Sequence, residues 1–420
     1  MSDVANGTPN RYGSMRHKTA LLSDDAFIPP SCDIGWLTVW FLPLLWPLAG
    51  LHGACACCLP GGNCFLRAQV SIMRITSKAS PLSFCCMRIA TDPPVGAIPP
   101  WLPTLPANVA ITLNRDGPGG GEWFYRPRAA ENGCTSRWRN TASINRCCAQ
   151  KRHQGGVPLS LSGAGKLILY FHGGGMCLCT HQTHRAIAME LVDRTGATLL
   201  AIDYRRAPEH PHPAAVSDCL EVYKWLLDQG AKVAHGDEAD LHEPQQIIFA
   251  GDSAGGGLVL ATTGAALAAG LPPPAGGIML SPWLDLTDFS SPSMTSNAAH
   301  DYLRVDIAQM FADAFVGLSS AGGATRHSVS PCNSVDLATQ GRAMPPLHIE
   351  VGANEILRDQ IVQWATKASA AGVDVSLYEA PDMVHVFMLF ADFVADDAEP
   401  RMAFARCAEF CEKIYSNGTP

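Results

Sequence analysis

Charge is what this chain has least of for its length. Only 16% of its 420 residues are Asp, Glu, Lys or Arg, and 38 acidic residues against 30 basic ones leave a net charge of -8. The basic residues form no stripe, which excludes a nucleic-acid-binding protein, whose affinity rests on neutralised phosphates. Zinc-site spacing is missing as well. Cys55-x-Cys57-Cys58 with Cys64 offers no paired Cys-x-x-Cys units and no histidines in register, so no metal centre is expected. The polar first 33 residues hold no compact basic region ahead of the apolar run that follows, which argues against a cleavable signal peptide.

Apolar side chains, by contrast, are plentiful. A hydrophobic fraction of 47% excludes a wholly disordered chain. A single core stops growing near roughly 250–300 residues, so 420 residues imply one main domain with decorating segments. We expect an extension over 1–104 and a main domain over 105–420, with a polar insertion at 128–165. Residues 34–51 are uncharged, hold three tryptophans and have about the length of a membrane span. Pro43 and Pro47 each remove a backbone donor inside that run. Two readings stay open: an anchor, or an apolar segment packed over the main domain. Ten of the sixteen cysteines precede residue 150. Buried thiols are the default for them and a disulfide framework the alternative.

From Lys166 onward, short apolar runs alternate with helical stretches. Strands are expected near 166–171, 198–204, 246–250, 277–280, 347–351 and 375–378, with a shorter one at 122–127. Continuous β-branched-rich runs of this kind suit strands buried on both faces. Helices are expected near 184–194, 214–229, 254–270, 359–371 and 398–415. The alternation predicts an α/β fold, with a mostly parallel central sheet covered by helices on both faces. The stretch 301–318 predicts a helix of a cap over the sheet.

The chemistry begins at Gly251-Asp252-Ser253-Ala254-Gly255, which lies between an expected strand and a helix rich in Gly and Ala. A serine on a tight strand-to-helix turn needs small neighbours, and Gly251, Ala254, Gly255 and Gly256 meet that need. The free N–H groups of the helix start suit a developing anion. His172-Gly173-Gly174-Gly175 follows the expected strand 166–171, where bare backbone amides of Gly173, Gly174 and Gly175 can join that of Ala254 around an oxyanion. Each motif alone is common. Both together, in this order and each after a buried strand, are specific.

On these residues the chain resembles the hormone-sensitive-lipase-like α/β-hydrolases, which include arylacetamide deacetylases and carboxylesterases. Asp203-Tyr-Arg-Arg-Ala-Pro-Glu-His210 and Ser281-Pro-Trp-Leu-Asp285 resemble two further segments of that family, and the likeness runs over roughly 105–415. The resemblance implies a Ser–acid–His triad in that chain order. Glu355, just after the strand near 347–351, stands where the family usually has Asp; Asp359 is the rival carboxylate. His385 follows the last strand in Asp382-Met-Val-His385, where Asp382 replaces the family's glycine. The expected catalytic set is Ser253, Glu355 and His385, acting on a small or medium acyl ester with no metal or cofactor. A thioesterase or deacetylase role, and a non-catalytic small-molecule receptor on the same scaffold, are the alternatives; the second would dispense with the histidine. Arylacetamide deacetylases carry an N-terminal anchor, so the resemblance adds weight to attachment at the endoplasmic reticulum membrane through 34–51 over a cytoplasmic enzyme.

Overall fold

The computed structural model describes residues 109–113, 118–126, 166–234, 247–317 and 324–417. The extension with its run 34–51, the ten early cysteines and the insertion 128–165 lie outside the described residues. Eight strands form one sheet: β1 (Ala110–Leu113), β2 (Glu122–Tyr125), β3 (Leu167–Phe171), β4 (Thr198–Ile202), β5 (Ile247–Asp252), β6 (Gly276–Leu280), β7 (Leu347–Gly352) and β8 (Val375–Ala380). Their spatial order is β1-β2-β4-β3-β5-β6-β7-β8. β2 runs antiparallel to β1 and β4, and the rest of the sheet is parallel.

Side-chain alternation along these strands sets up two cores. Leu167, Leu169 and Phe171 face one side with Leu200, Phe249, Met279 and Ile349. Ile168 and Tyr170 face the other with Leu199, Ile248, Ala250 and Ile278. Because both faces are covered, β3 to β7 contain no exposed position, which is why they read as unbroken apolar runs. Each large side chain so buried contributes roughly 1.5–3 kcal/mol. β8 lies at the sheet edge and is half-exposed along most of its length.

Helices α1 (Arg185–Thr195), α2 (Ala214–Ala234), α3 (Ala254–Ala268), α4 (Val305–Val316), α5 (Arg358–Ala370) and α6 (Glu399–Asn417) supply the outer layers. α1 and α6 cover the Ile168 face; α2, α3, α4 and α5 belong to the Leu169 face. α3 is buried along almost its whole length, and its start packs tightly on neighbouring backbone. Gly251, Gly255, Gly256 and Gly257 permit this, since a Cβ on any of them would collide with backbone of α3 itself, β3 or the Pro282–Trp283 turn. The cap stretch expected over 301–318 forms a helix only from Val305 to Val316; Asp301 stands in the turn before it. The four-residue edge strand β1 and the short helices Pro292–Ser296, Arg326–Val329 and Leu337–Gln340 add to the expected elements. Among the described residues no helix is long and apolar enough to cross a membrane.

Candidate active site

The carboxyl ends of β3, β5, β7 and β8 converge on Ser253. This residue follows β5 directly and precedes α3, with φ 51° and ψ -119°. A non-glycine residue rarely adopts such angles, at a cost of about 1–3 kcal/mol. Three hydrogen bonds hold it there. Its N–H donates to the Leu280 carbonyl at 2.8 Å, and its carbonyl accepts from Gly257 N–H at 3.1 Å and Trp283 N–H at 2.8 Å.

The Ser253 hydroxyl lies 2.8 Å from His385 Nε2. His385 sits in the loop after β8 and is buried. The next residue, Val386, is pinned by its N–H to the Ser281 hydroxyl at 3.0 Å. That gives a purpose to the first serine of Ser281-Pro-Trp-Leu-Asp285, whose own φ is 47°. On the far side of the ring, His385 Nδ1 faces Glu355 Oε2 at 3.7 Å, an ion-pair separation longer than a hydrogen bond. Contacts of this kind tighten when substrate closes the site. Glu355 is fully buried, and its Oε2 accepts from Gly352 N–H at 3.3 Å. Burial pulls the proton affinity of His385 down. The carboxylates of Glu355, Asp301 and Asp252 more than offset this and hold its pKa above 6.5. Asp359 is not part of this cluster. It starts α5, accepts from Ser293 N–H at 2.8 Å and pairs with Arg358 at 2.8 Å.

The loop 172–175 approaches Ser253 from β3, and its three glycines are not equivalent. Gly173 N–H donates to Asp252 Oδ1 at 2.9 Å. The expectation gives an oxyanion two of the three amides of Gly173, Gly174 and Gly175, and that of Gly173 is already committed to Asp252. Gly174 and Gly175 have φ of 106° and 64°. A Cβ on Gly174 would strike the Leu178 carbonyl, and one on Gly175 would strike the Phe311 ring of α4. Among the described residues their amides, and that of Ala254 at the start of α3, have no acceptor outside the regular elements.

Beneath this loop lies a polar layer that spacing in the sequence does not announce. The buried Asp252 carboxylate accepts from Tyr170 Oη at 2.5 Å and pairs with His184 Nε2 at 3.2 Å. Burial alone would raise the pKa of Asp252 and lower that of His184, but their mutual attraction reverses both. His172 goes the other way. Burial, aided by the His184 cation, lowers its pKa to about 3. A neutral His172 can therefore donate from Nδ1 to the Gly173 carbonyl at 2.7 Å. Tyr204 stacks on its ring at 4.2 Å and donates to its carbonyl at 2.6 Å. The Asp203-Tyr-Arg-Arg-Ala-Pro segment thus braces the glycine loop from below. Among the described residues no three His, Cys, Asp or Glu side chains gather as a metal site.

Comparison with known proteins agrees with this fold. A family model described as the alpha/beta hydrolase fold matches residues 168–389. An acetyl-hydrolase of Streptomyces hygroscopicus is 36% identical over 53% of this chain and 68% of its own length. The Mycobacterium tuberculosis carboxylesterase NlhH is 32% identical over 56% of this chain and 70% of its own. Among solved structures, EstE5 soaked with p-nitrophenyl butyrate superposes with a TM-score of 0.62 at 31% identity, covering 83% of this chain and 98% of that one. A hormone-sensitive-lipase homologue from a metagenome library, EstE7, gives 0.61 at 28% identity over the same shares.

Proposed function

This chain belongs to the hormone-sensitive-lipase-like α/β-hydrolases and hydrolyses ester bonds, and from that premise we propose that Ser253, His385 and Glu355 carry the reaction on a small-molecule carboxylic ester. The observation that carries the reading is the 2.8 Å contact between the Ser253 hydroxyl and His385 Nε2, made by a serine held at φ 51°. Ser253 Oγ attacks the ester carbonyl while its proton passes to His385 Nε2. Glu355 steadies the imidazolium from the Nδ1 side. The amides of Gly174, Gly175 and Ala254 receive the negative charge of the tetrahedral intermediate. His385 then gives the proton to the departing alcohol, leaving Ser253 acylated. A water molecule, deprotonated by His385, attacks the acyl carbonyl, and the acid leaves with Ser253 restored. Every step uses water and this chain's own groups.

A short acyl chain is the first choice of substrate. The Phe311 ring lies against Gly175 and so walls the site beside two of the anion donors. The acetyl-hydrolase among the relatives supports the same preference. The test is covalent labelling. A fluorophosphonate probe is expected to modify the full-length protein, and Ser253→Ala is expected to abolish labelling together with p-nitrophenyl butyrate turnover. Labelling that persists in the variant would overturn the assignment.

The electrostatics give a second check. His385 works as a base only when neutral, and its raised pKa keeps it cationic to higher pH. Activity, measured as kcat/KM, is therefore expected to fall with decreasing pH through a midpoint above 6.5. Glu355→Gln removes the strongest of the neighbouring attractions, so its midpoint is expected at lower pH than that of the wild type. Asp359→Asn is expected to leave the midpoint where it is, because Asp359 is engaged with Ser293 and Arg358.

A further inference from the structure

The stretch leading into the cap helix is fastened to the site from above. Ser293 Oγ donates to the Ile356 carbonyl at 2.8 Å. Asn297 Nδ2 donates to the carbonyls of Ala353 and Glu355 at 3.0 and 2.9 Å. Asp301 reaches furthest. Its Oδ2 accepts from Ile356 N–H at 2.8 Å, and its Oδ1 accepts from the N–H groups of His385 and Leu303, both at 3.3 Å. One carboxyl group therefore holds the residue after Glu355, the backbone of His385 itself, and the turn that begins the cap.

We propose that Asp301 is a positioning residue, which fixes the backbones carrying Glu355 and His385 and ties both to the base of the cap. The inference rests on the reading of His385 as the general base. A carboxyl group is a costly choice for this place. Asp301 is only 1% exposed, and no Lys or Arg pairs with it among its hydrogen bonds. Burial pushes its pKa up to about 6, the His385 cation pulling it down and Glu355 pushing it further up. An isolated buried charge is costly in general, so a side chain with this much against it needs a compensating task. What it supplies is two acceptor oxygens aimed at three backbone donors from three separate segments. An Asn of the same shape has one acceptor and would turn its NH2 group toward an N–H. Misplacement of reacting groups by about 1 Å can cost on the order of a hundredfold in rate.

The test uses full-length Asp301→Asn and Asn297→Ala, with active sites counted by fluorophosphonate titration and p-nitrophenyl butyrate hydrolysis followed from about pH 5 to about pH 9. Asp301→Asn is expected to lower kcat per active site by about tenfold or more, with KM within about twofold. Its acid limb should also move to lower pH, because the imidazole then faces only Glu355 and Asp252 as anions, beside the Tyr302 ring at 6.0 Å. Asn297→Ala leaves every carboxylate in place, so it should lower kcat without moving the limb. Wild-type kcat and limb in Asp301→Asn, or a lowered melting temperature alone, would overturn the proposal. If Asp301→Asn does not fold, an unchanged kcat in Asn297→Ala overturns it instead. Ser253→Ala separates the two layers of inference. When that variant is dead and Asp301→Asn is unaffected, only the role of Asp301 falls. When Ser253→Ala still turns over, the function reading falls and this one with it.

Discussion

His385→Ala is expected to lower kcat for p-nitrophenyl butyrate by about a million-fold, with the melting temperature little changed. The magnitude follows from what a nucleophile loses without its base. A serine hydroxyl is a weak nucleophile, and removing either partner of such a pair costs about as much as removing both. The double variant Ser253→Ala with His385→Ala should therefore be no slower than either single variant. Residual activity would come from the proposed oxyanion donors, the amides of Gly174, Gly175 and Ala254; such donors typically sustain roughly 10³–10⁴ over water. The check is a pair of progress curves at equal protein concentration with calorimetry alongside. A loss of only a few-fold would mean that the 2.8 Å contact with Ser253 is not a catalytic one.

The second large effect is structural. Gly255→Val is expected to give no soluble, cooperatively melting protein. A Cβ at Gly255 would lie 2.7 Å from the His172 carbonyl oxygen and nearer still to that of Phe171. Both are backbone atoms at the end of β3, in the middle of the sheet, and neither can swing aside as a side chain could. To make room, α3 would have to lift from the sheet, and nearly every residue of α3 is buried. The packing of β3, β5 and Pro282 against the helix would be lost together. A folded and active Gly255→Val would show that the approach of α3 to β3 is looser than these distances say. Gly196→Val separates the two penalties: a Cβ there meets nothing within 4 Å but φ is 66°, so that variant carries backbone strain without collision and is expected to fold and melt lower.

The sheet was legible because its strands are buried on both faces. Leu167–Phe171 and Ile247–Asp252 announce themselves as unbroken apolar runs with a small-residue turn behind them. The serine and the glycine loop were legible for a steric reason: close backbone contact demands glycine, and glycine is visible in a sequence. Strand limits were less so. The run through Tyr204 ends as a strand at Ile202, because Asp203 N–H turns away to the Gly119 carbonyl, a partner more than eighty residues earlier. The short helices between 292 and 340 are too brief to repeat a 3.6-residue period. Asp301, Asn297, His184 and Tyr170 stayed hidden for another reason. Their partners lie 55 to 84 residues distant in the chain, or else within loops of no pattern, and only the folded sheet brings them together. Asp359 shows the converse. Its spacing suits a triad acid nearly as well as that of Glu355, and the difference lies in the direction each carboxylate takes after β7.

The two-sided sheet also has a consequence for synthesis. The face formed by Ile168, Tyr170, Ile248 and Ile278 is closed by α1 and by Phe404, Cys407, Phe410 and Ile414 of α6, and Tyr415 reaches back to donate to the Leu167 carbonyl at 3.1 Å. β3 and α6 stand more than two hundred residues apart. At translation speeds of about 5–20 residues per second, the ribosome needs more than about ten seconds to supply the second after the first. Until α6 has been made, whatever part of this face has formed has α1 but lacks the apolar cover that Phe404, Cys407, Phe410 and Ile414 supply.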